Sequence, residues 1–289
     1  MKRVACAAAA IAAGIFALAG CPGGGSNGGE DAGFDANDID IEEPIIKVSG
    51  TAKVFPEAAT WLQDAGMTVP ELAGLTLRVE EPLKAALNDP TGVFGSVTLA
   101  SDGKFTVENV DTSQVNLGIA AGIRDERDAG TSGFVRSATP LFDVQLAQKK
   151  PDTDILDGVA WALPRAFHDQ LTNAVSPATI LSITNNQFDS LIEAGFILGK
   201  VVDAQGNPVA GAKVVTTPAS WGANFYYPTE DLSAVTQNGT SANGLFVFVH
   251  TGGPTEPFTF TIENRPEYLK RNGGAARDAA LIVVVSPGQ

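Results

Sequence analysis

Between Phe196 and Val215 the chain reads FILGKVVDAQGNPVAGAKVV. Ile197, Val201, Val202, Val214 and Val215 are β-branched and favour a pleated surface. Gly206, Asn207 and Pro208 sit between them and suit a tight turn far better than a strand. Gly199 and Gly211 fall at matched places, one on each side. A looser version of the same plan comes earlier. Gly50 with Val54 corresponds to Gly199 with Val201. Leu72-Ala73-Gly74-Leu75 corresponds to Val209-Ala210-Gly211-Ala212, and Ser101-Asp102-Gly103-Lys104-Phe105 to Ala242-Asn243-Gly244-Leu245-Phe246. Three landmarks in the same order predict a duplicated β-sandwich with loops of different length. The expected architecture is mainly β, with modules at 45–147 and 196–289 joined by a short helical connector at 148–195.

In the first module Ile45 to Val54 reads as a strand, and Thr60 to Ala65 as a helical turn. Leu75, Leu77 and Val79 alternate with Thr76 and Arg78, the period of a half-buried strand. Glu81 to Pro90 reads as loop. Val97 and Leu99 precede the Asp102-Gly103 hairpin signal, and Phe105 and Val107 follow it. Val115, Leu117 and Ile119 predict a further strand, and Phe134 to Leu146 closes the sheet.

Residues 152–195 read as small amphipathic helices. Pro164 is placed at a first helical position, where its missing N–H does no harm. Phe167, Leu171 and Val175 recur at helical spacing. Ser176-Pro177 opens a second helix as N-cap and first-turn proline. Phe188, Leu191 and Ile192 form a third stripe ended by Gly195. His168 lies here beside Asp169. No nucleophile is apparent nearby, so a structural histidine, at the surface or half-buried, is expected.

The N-terminus has its own logic. Met1-Lys2-Arg3 is a short positive start, and Val4 to Ala19 is an apolar, Ala-rich run suited to a secretory signal. Leu18-Ala19-Gly20-Cys21 resembles the lipobox of bacterial lipoproteins. That resemblance implies a signal peptide at 1–20, cleavage before Cys21 and lipid attachment (palmitate among the acyl groups) on Cys21. More than one acyl chain holds a protein durably at a membrane, where a single chain does not. Cys6 and Cys21 are the two cysteines, so no thiol or disulfide would remain free after such processing. The segment 21–44 then reads as a flexible, acidic tether: Gly23 to Gly29 is Gly-rich and Glu30 to Glu43 is acidic. A calcium loop starting at Asp35 puts Ile39 at its fifth position, and one starting at Asp38 puts Glu43 where glycine is needed. Neither register works.

The second module resembles the carboxypeptidase regulatory-like family, a transthyretin-like (prealbumin-like) sandwich. The residues that carry this are Gly199-Lys200-Val201-Val202-Asp203, Gly206 to Val214, and Thr240 to Phe248. Against the family pattern, a polar, Gly-rich insertion at Arg265 to Arg277 precedes the final strand at Leu281 to Val285. The resemblance implies a binding, spacing or structural module with no catalytic residues of its own.

Asp and Glu outnumber Lys and Arg, 33 to 19, for a formal net charge of −14. A polyphosphate backbone is repelled by such a chain, so no nucleic-acid partner is expected. Two histidines far apart, His168 and His250, make a His-rich metal site improbable, and no cofactor, metal or catalytic set is expected. Trp221, Phe225, Tyr226 and Tyr227 cluster between two strands of the second module. Flat amphipathic rings suit a sugar or a peptide, although packing between sheets is the preferred reading for two or three of them. Loop carboxylates Asp125, Asp128, Asp152 and Asp154 would serve an enzyme only if they converged with a raised pKa. Cna-B-like modules, a cousin fold, form Lys–Asn isopeptide bonds. Lys53 or Lys200 with Asn116 or Asn264 would supply the pair, but no signature surrounds them.

The sequence therefore points to a lipid-anchored cell-envelope protein acting as a non-catalytic binding or structural module. Its membrane contact is through Cys21, and its partner is an envelope protein or glycan. The alternatives are a carbohydrate- or peptide-binding accessory of an envelope enzyme, or an enzyme using the loop carboxylates.

Overall fold

A computed structural model describes residues 44–127, 133–255 and 257–288, all within one compact unit, Glu42–Gln289. Residues 1–43, where a signal peptide, the lipid site Cys21 and a tether were expected, and Asp128 lie outside the described residues. The first part of the chain forms β1 (Ile45–Val54), α1 (Pro56–Asp64), β2 (Thr76–Glu80), α2 (Pro82–Ala86), β3 (Val93–Thr98), β4 (Lys104–Asp111), β5 (Gly118–Arg124), β6 (Phe134–Val135), β7 (Ser137–Asp143), α3 (Val144–Ala147) and β8 (Ile155–Pro164). Three helices follow: α4 (Arg165–Val175), α5 (Pro177–Ile183) and α6 (Leu191–Ala194). The last part forms β9 (Phe196–Val201), β10 (Val214–Thr217), β11 (Phe225–Pro228), β12 (Val235–Thr236), β13 (Leu245–Val249), β14 (Phe258–Ile262), β15 (Arg271–Gly273) and β16 (Ala280–Val285).

The architecture is mainly β, as expected, and consists of two sandwiches built on one shared sheet. A nine-stranded sheet runs β12-β11-β13-β9-β16-β7-β5-β2-β3. The sheet β4-β1-β8-β6 packs on its β7–β3 end, and Val48, Ala52, Leu77, Val79, Phe105 and Ile119 fill the core between. The sheet β10-β14-β15 packs on the other end over Val201, Val214, Phe225, Phe246, Phe248 and Phe260. The long sheet is thus continuous from one sandwich to the other. The two halves meet where β16 runs parallel to β7, at Ala280↔Ser137 and Leu281↔Ala138.

The helices pack on the sheet and do more than connect its halves. Along β9, β13 and β16, side chains alternate between two cores. Phe196, Leu198, Leu245, Val247, Ala280 and Ile282 face a core completed by Phe167 and Leu171 of α4, Ile180 of α5 and Leu191 of α6. Their neighbours in sequence face the second sandwich. Strands covered on both faces lose the polar half of the usual alternation, hence the unbroken apolar runs LFVFV and ALIVVV.

Several local expectations need correction. Residues 155–164 form β8, where helix was expected. Its Gly158 sits opposite Gly50 in a parallel pairing with β1, and a Cβ on Gly50 would collide with the Gly158 carbonyl, so the two strands meet as bare backbone. Pro164 ends that strand and caps α4 from outside. Glu81–Pro90 contains α2, whose first turn is capped by the Glu81 carboxylate accepting the Lys84 N–H at 2.8 Å. The strand expected from Val115 begins at Gly118, the Phe134–Leu146 stretch divides into β6, β7 and the start of α3, and the 265–277 insertion contains β15. Ser176 caps α5, with Pro177 in its first turn, and Gly195 ends α6 at φ 84°, both as expected.

The internal correspondence extends to hydrogen bonds. Ala52 N–H donates to the Gly103 carbonyl at 2.8 Å, and Val201 N–H to the Gly244 carbonyl at 2.9 Å. Gly74 N–H donates to Leu99 O while Leu99 N–H donates to Leu75 O; Gly211 N–H donates to Thr240 O while Thr240 N–H donates to Ala212 O. Gly50 pairs with Phe105 and Gly199 with Phe246. The counterpart of Val201 is therefore Ala52, two residues before the Val54 suggested by the sequence.

Candidate functional site

The aromatic cluster is divided by the pleat of β11. Phe225 and Tyr227 point into the second sandwich and are buried; Tyr226 points to the opposite face, toward the helices. The Tyr227 hydroxyl accepts the Val214 N–H at 2.8 Å, bracing β11 against β10 of the facing sheet. Phe225 lies 5.0 Å from Phe248. Trp221, on the turn before β11, is half-buried and stacks on Phe258 at 6.0 Å and on His250 at 6.5 Å. The four rings do not form one surface.

Of the loop carboxylates, the described ones, Asp125, Asp152 and Asp154, are each engaged with a different partner. Asp125 is gripped by Arg127, with Nε at 2.7 Å and Nη2 at 2.8 Å, and also accepts the Phe134 N–H at 3.3 Å. The Arg127 hydrogen bond holds its carboxyl below the usual range. Arg127 in turn donates to the Ala73 carbonyl at 3.2 Å, fastening the turn at Gly74. Asp152 is held low by its hydrogen bond from Lys149. Asp154 accepts the Lys47 N–H at 2.8 Å. Carboxylates held low as Asp125 and Asp152 are make poor general acids.

His168 is buried, beyond the surface or half-buried position expected. Its Nε2 faces the Ile192 N–H at 3.1 Å, a group that can only donate, so Nε2 accepts and the proton lies on Nδ1 beside the Asp169 carboxylate at 2.8 Å. Burial lowers its pKa, partly offset by Asp169. The ring therefore ties α4 to α6 in its neutral form. Lys200 forms an ion pair with Glu57 of α1, and Lys53, Asn116 and Asn264 are exposed. Among the described residues, no group of three or more His, Cys, Asp and Glu side chains is placed to hold a metal ion, and no helix is long and apolar enough to cross a membrane.

Concave surface occurs where the two sandwiches meet, a feature with no signature in the sequence. On one face of the β7–β16 junction a cavity of about 100 Å³ lies between α2, β7 and residues 272–281, with Glu80 and Arg136 among its polar groups. On the other, a cavity of about 340 Å³ reaches Arg271. Asn272 bridges the sandwiches here: its N–H donates to Asp143 Oδ2 at 2.9 Å, and its side-chain amide to Asp143 Oδ1 at 3.0 Å and Leu117 O at 3.1 Å.

No family model matches the chain and no curated protein matches it, so neither the lipobox nor the carboxypeptidase regulatory-like resemblance has a matching family. Among solved structures, shaft pilin SpaA from Lactobacillus rhamnosus GG aligns at 12% identity over 85% of this chain and 98% of that one, with a TM-score of 0.22. The Bacillus anthracis TIE protein aligns at 11% identity over 84% of this chain and 34% of its own, also with a TM-score of 0.22. The major pilin RrgB from Streptococcus pneumoniae aligns at 11% identity over 85% and 48%, with a TM-score of 0.21. Likeness at this level carries no argument about what this chain does.

Proposed function

We propose that this chain is a lipid-anchored protein of the bacterial cell envelope whose double sandwich serves as a non-catalytic structural or binding module. The observation that carries the reading is the continuous nine-stranded sheet with cores on both faces, which makes the two sandwiches one mechanical body. The groups nominated for chemistry are consistent with this: Asp125, His168 and Tyr227 are all engaged in holding elements together. The lipobox at Leu18–Cys21 supplies the anchor, and the acidic segment before residue 44 the spacer.

Two experiments test it. Cells fed an alkyne-tagged palmitate should label the wild-type protein and not Cys21→Ser; label on both, or on neither, removes the anchor. Cross-linking of intact cells should then join residues 45–289 to a recurrent envelope protein. Glycan alone among the products would replace the scaffold reading with carbohydrate binding.

A further inference from the structure

Along the shared sheet the two sandwiches are joined by two rungs of β7–β16 pairing. Beyond Ala138 and Leu281 the strands part, as β16 continues along β9 to Val285 and β7 along β5 to Asp143. The wedge between them is the cavity of about 340 Å³, at the small end of the range for ligand pockets, about 300–1,000 Å³. Its walls combine apolar side chains, Leu141 of β7, Val159 and Trp161 of β8, and Ile282 and Val284 of β16, with the polar Thr139, Asp143, Arg271 and Asn272.

Arg271 of β15 lines this wedge. Its guanidinium makes no hydrogen bond or ion pair with any described residue, and its Nε is buried without a partner. Asp143 also lines the wedge and is the acid whose charge Arg271 feels, but its oxygens are hydrogen-bonded elsewhere: Oδ1 accepts from Gln145 N, Leu146 N and Asn272 Nδ2, and Oδ2 from Asn272 N. Burial lowers the Arg271 pKa, yet an arginine stays charged at neutral pH. The buried Thr139 hydroxyl also lines the wall. Its oxygen accepts the Trp161 N–H at 2.9 Å, and its proton has no acceptor among the described residues. A cation and a hydroxyl proton without acceptors, set beside apolar side chains, ask for an anion with an apolar body.

We infer that this wedge binds an apolar monocarboxylate, its two oxygens on the Arg271 fork and its hydrocarbon part against Leu141, Trp161 and Val284. A planar fork matches a carboxylate bidentately. One arginine and one hydroxyl in a chain of net charge −14 would neutralise a phosphate dianion poorly. A free organic acid and the carboxyl end of a peptide share this chemistry. The inference is independent of the membrane anchor.

Calorimetric titration of the full chain with 3-phenylpropanoate at pH 7 tests it. Saturable one-to-one binding is expected, at least tenfold weaker with 3-phenylpropanamide and with Arg271→Met, and lost in Val284→Trp, which fills the wedge. Arg271→Met should melt no lower than wild type, since it removes a buried donor that has no partner. A blocked tripeptide ending in a free phenylalanine carboxylate separates the sources: tighter binding than the free acid assigns a peptide end, weaker binding a small acid. No saturable binding at millimolar acid, equal affinity for the amide, unchanged affinity in Arg271→Met, or a lowered melting temperature in that variant would each overturn the assignment.

Discussion

Nε2 of His168 accepts the backbone N–H of Ile192, 24 positions along the chain, at 3.1 Å. The ring closes α6 onto α4 and satisfies a donor in the first turn of α6. Replacing it with alanine strands that donor, at a cost of about 1–3 kcal/mol; glutamine, which keeps an acceptor, should cost less. The pH dependence follows from the lowered pKa. The unfolded chain takes up the proton first, near pH 6.5. The stabilisation is complete above that value and is lost as pH falls through the lower folded pKa. Denaturant unfolding between pH 7.5 and 5 should show this decline in wild type and a flatter profile in His168→Gln.

The two hairpin glycines predict matched effects. Gly103 and Gly244 have φ of 67° and 70°. A Cβ on Gly244 would lie 2.6 Å from the Val201 carbonyl oxygen, and one on Gly103 would strike the Ala52 carbonyl. Gly206 has φ 84° but nothing within 4 Å. Gly206→Ala should cost backbone strain alone, about 1–2 kcal/mol. Gly103→Ala and Gly244→Ala should cost more, by similar amounts, in equilibrium unfolding.

Lys200 and Glu57 pair at side-chain exposures of 16% and 18%, between the surface and the interior. Glu57 Oε2 is buried with no hydrogen-bond partner among the described residues. Lys200→Met should cost about 2 kcal/mol, between exposed and fully buried pairs. Adding Glu57→Leu should recover part of that loss, because it removes the stranded carboxylate. A double-mutant cycle by chemical denaturation measures the coupling.

The aromatic residues should separate by burial. Phe225→Ala should cost about 3–5 kcal/mol, as for large core deletions, and Tyr227→Phe about 1–3 kcal/mol for the orphaned Val214 N–H. Trp221→Ala, at a half-buried ring, should cost less than Phe225→Ala. Thermal unfolding ranks them, and glycan-array binding that changes for Trp221→Ala alone would give that ring a role in recognition.

The turns were the most legible part of the fold. Asp102-Gly103 and Asn243-Gly244 announce themselves because a positive φ admits few residues, and both sit where expected. β8 was hidden for the same reason. Asp157 takes a positive φ of 58° within the strand, and Gly158 beside it faces Gly50, where a Cβ on Gly50 would strike the Gly158 carbonyl. The shared sheet left no local trace, since Ser137 and Ala280 pair across half the chain. The split of Phe225, Tyr226 and Tyr227 between faces was implicit in strand alternation. The place of Arg271 beside the wedge was not legible, because the wedge arises from the parting of two distant strands.

The first and last described strands are both interior ones: β1 lies between β4 and β8, and β16 between β9 and β7. Each is flanked on both sides over only part of its length. From residue 44 the chain meets β4 first and β8 as well from Val48 on, whereas from residue 288 it meets β9 alone until Leu281, where β7 joins. The seam between the sandwiches therefore comes early along β16, and the last four residues of that strand are held from one side, with the wedge open on the other.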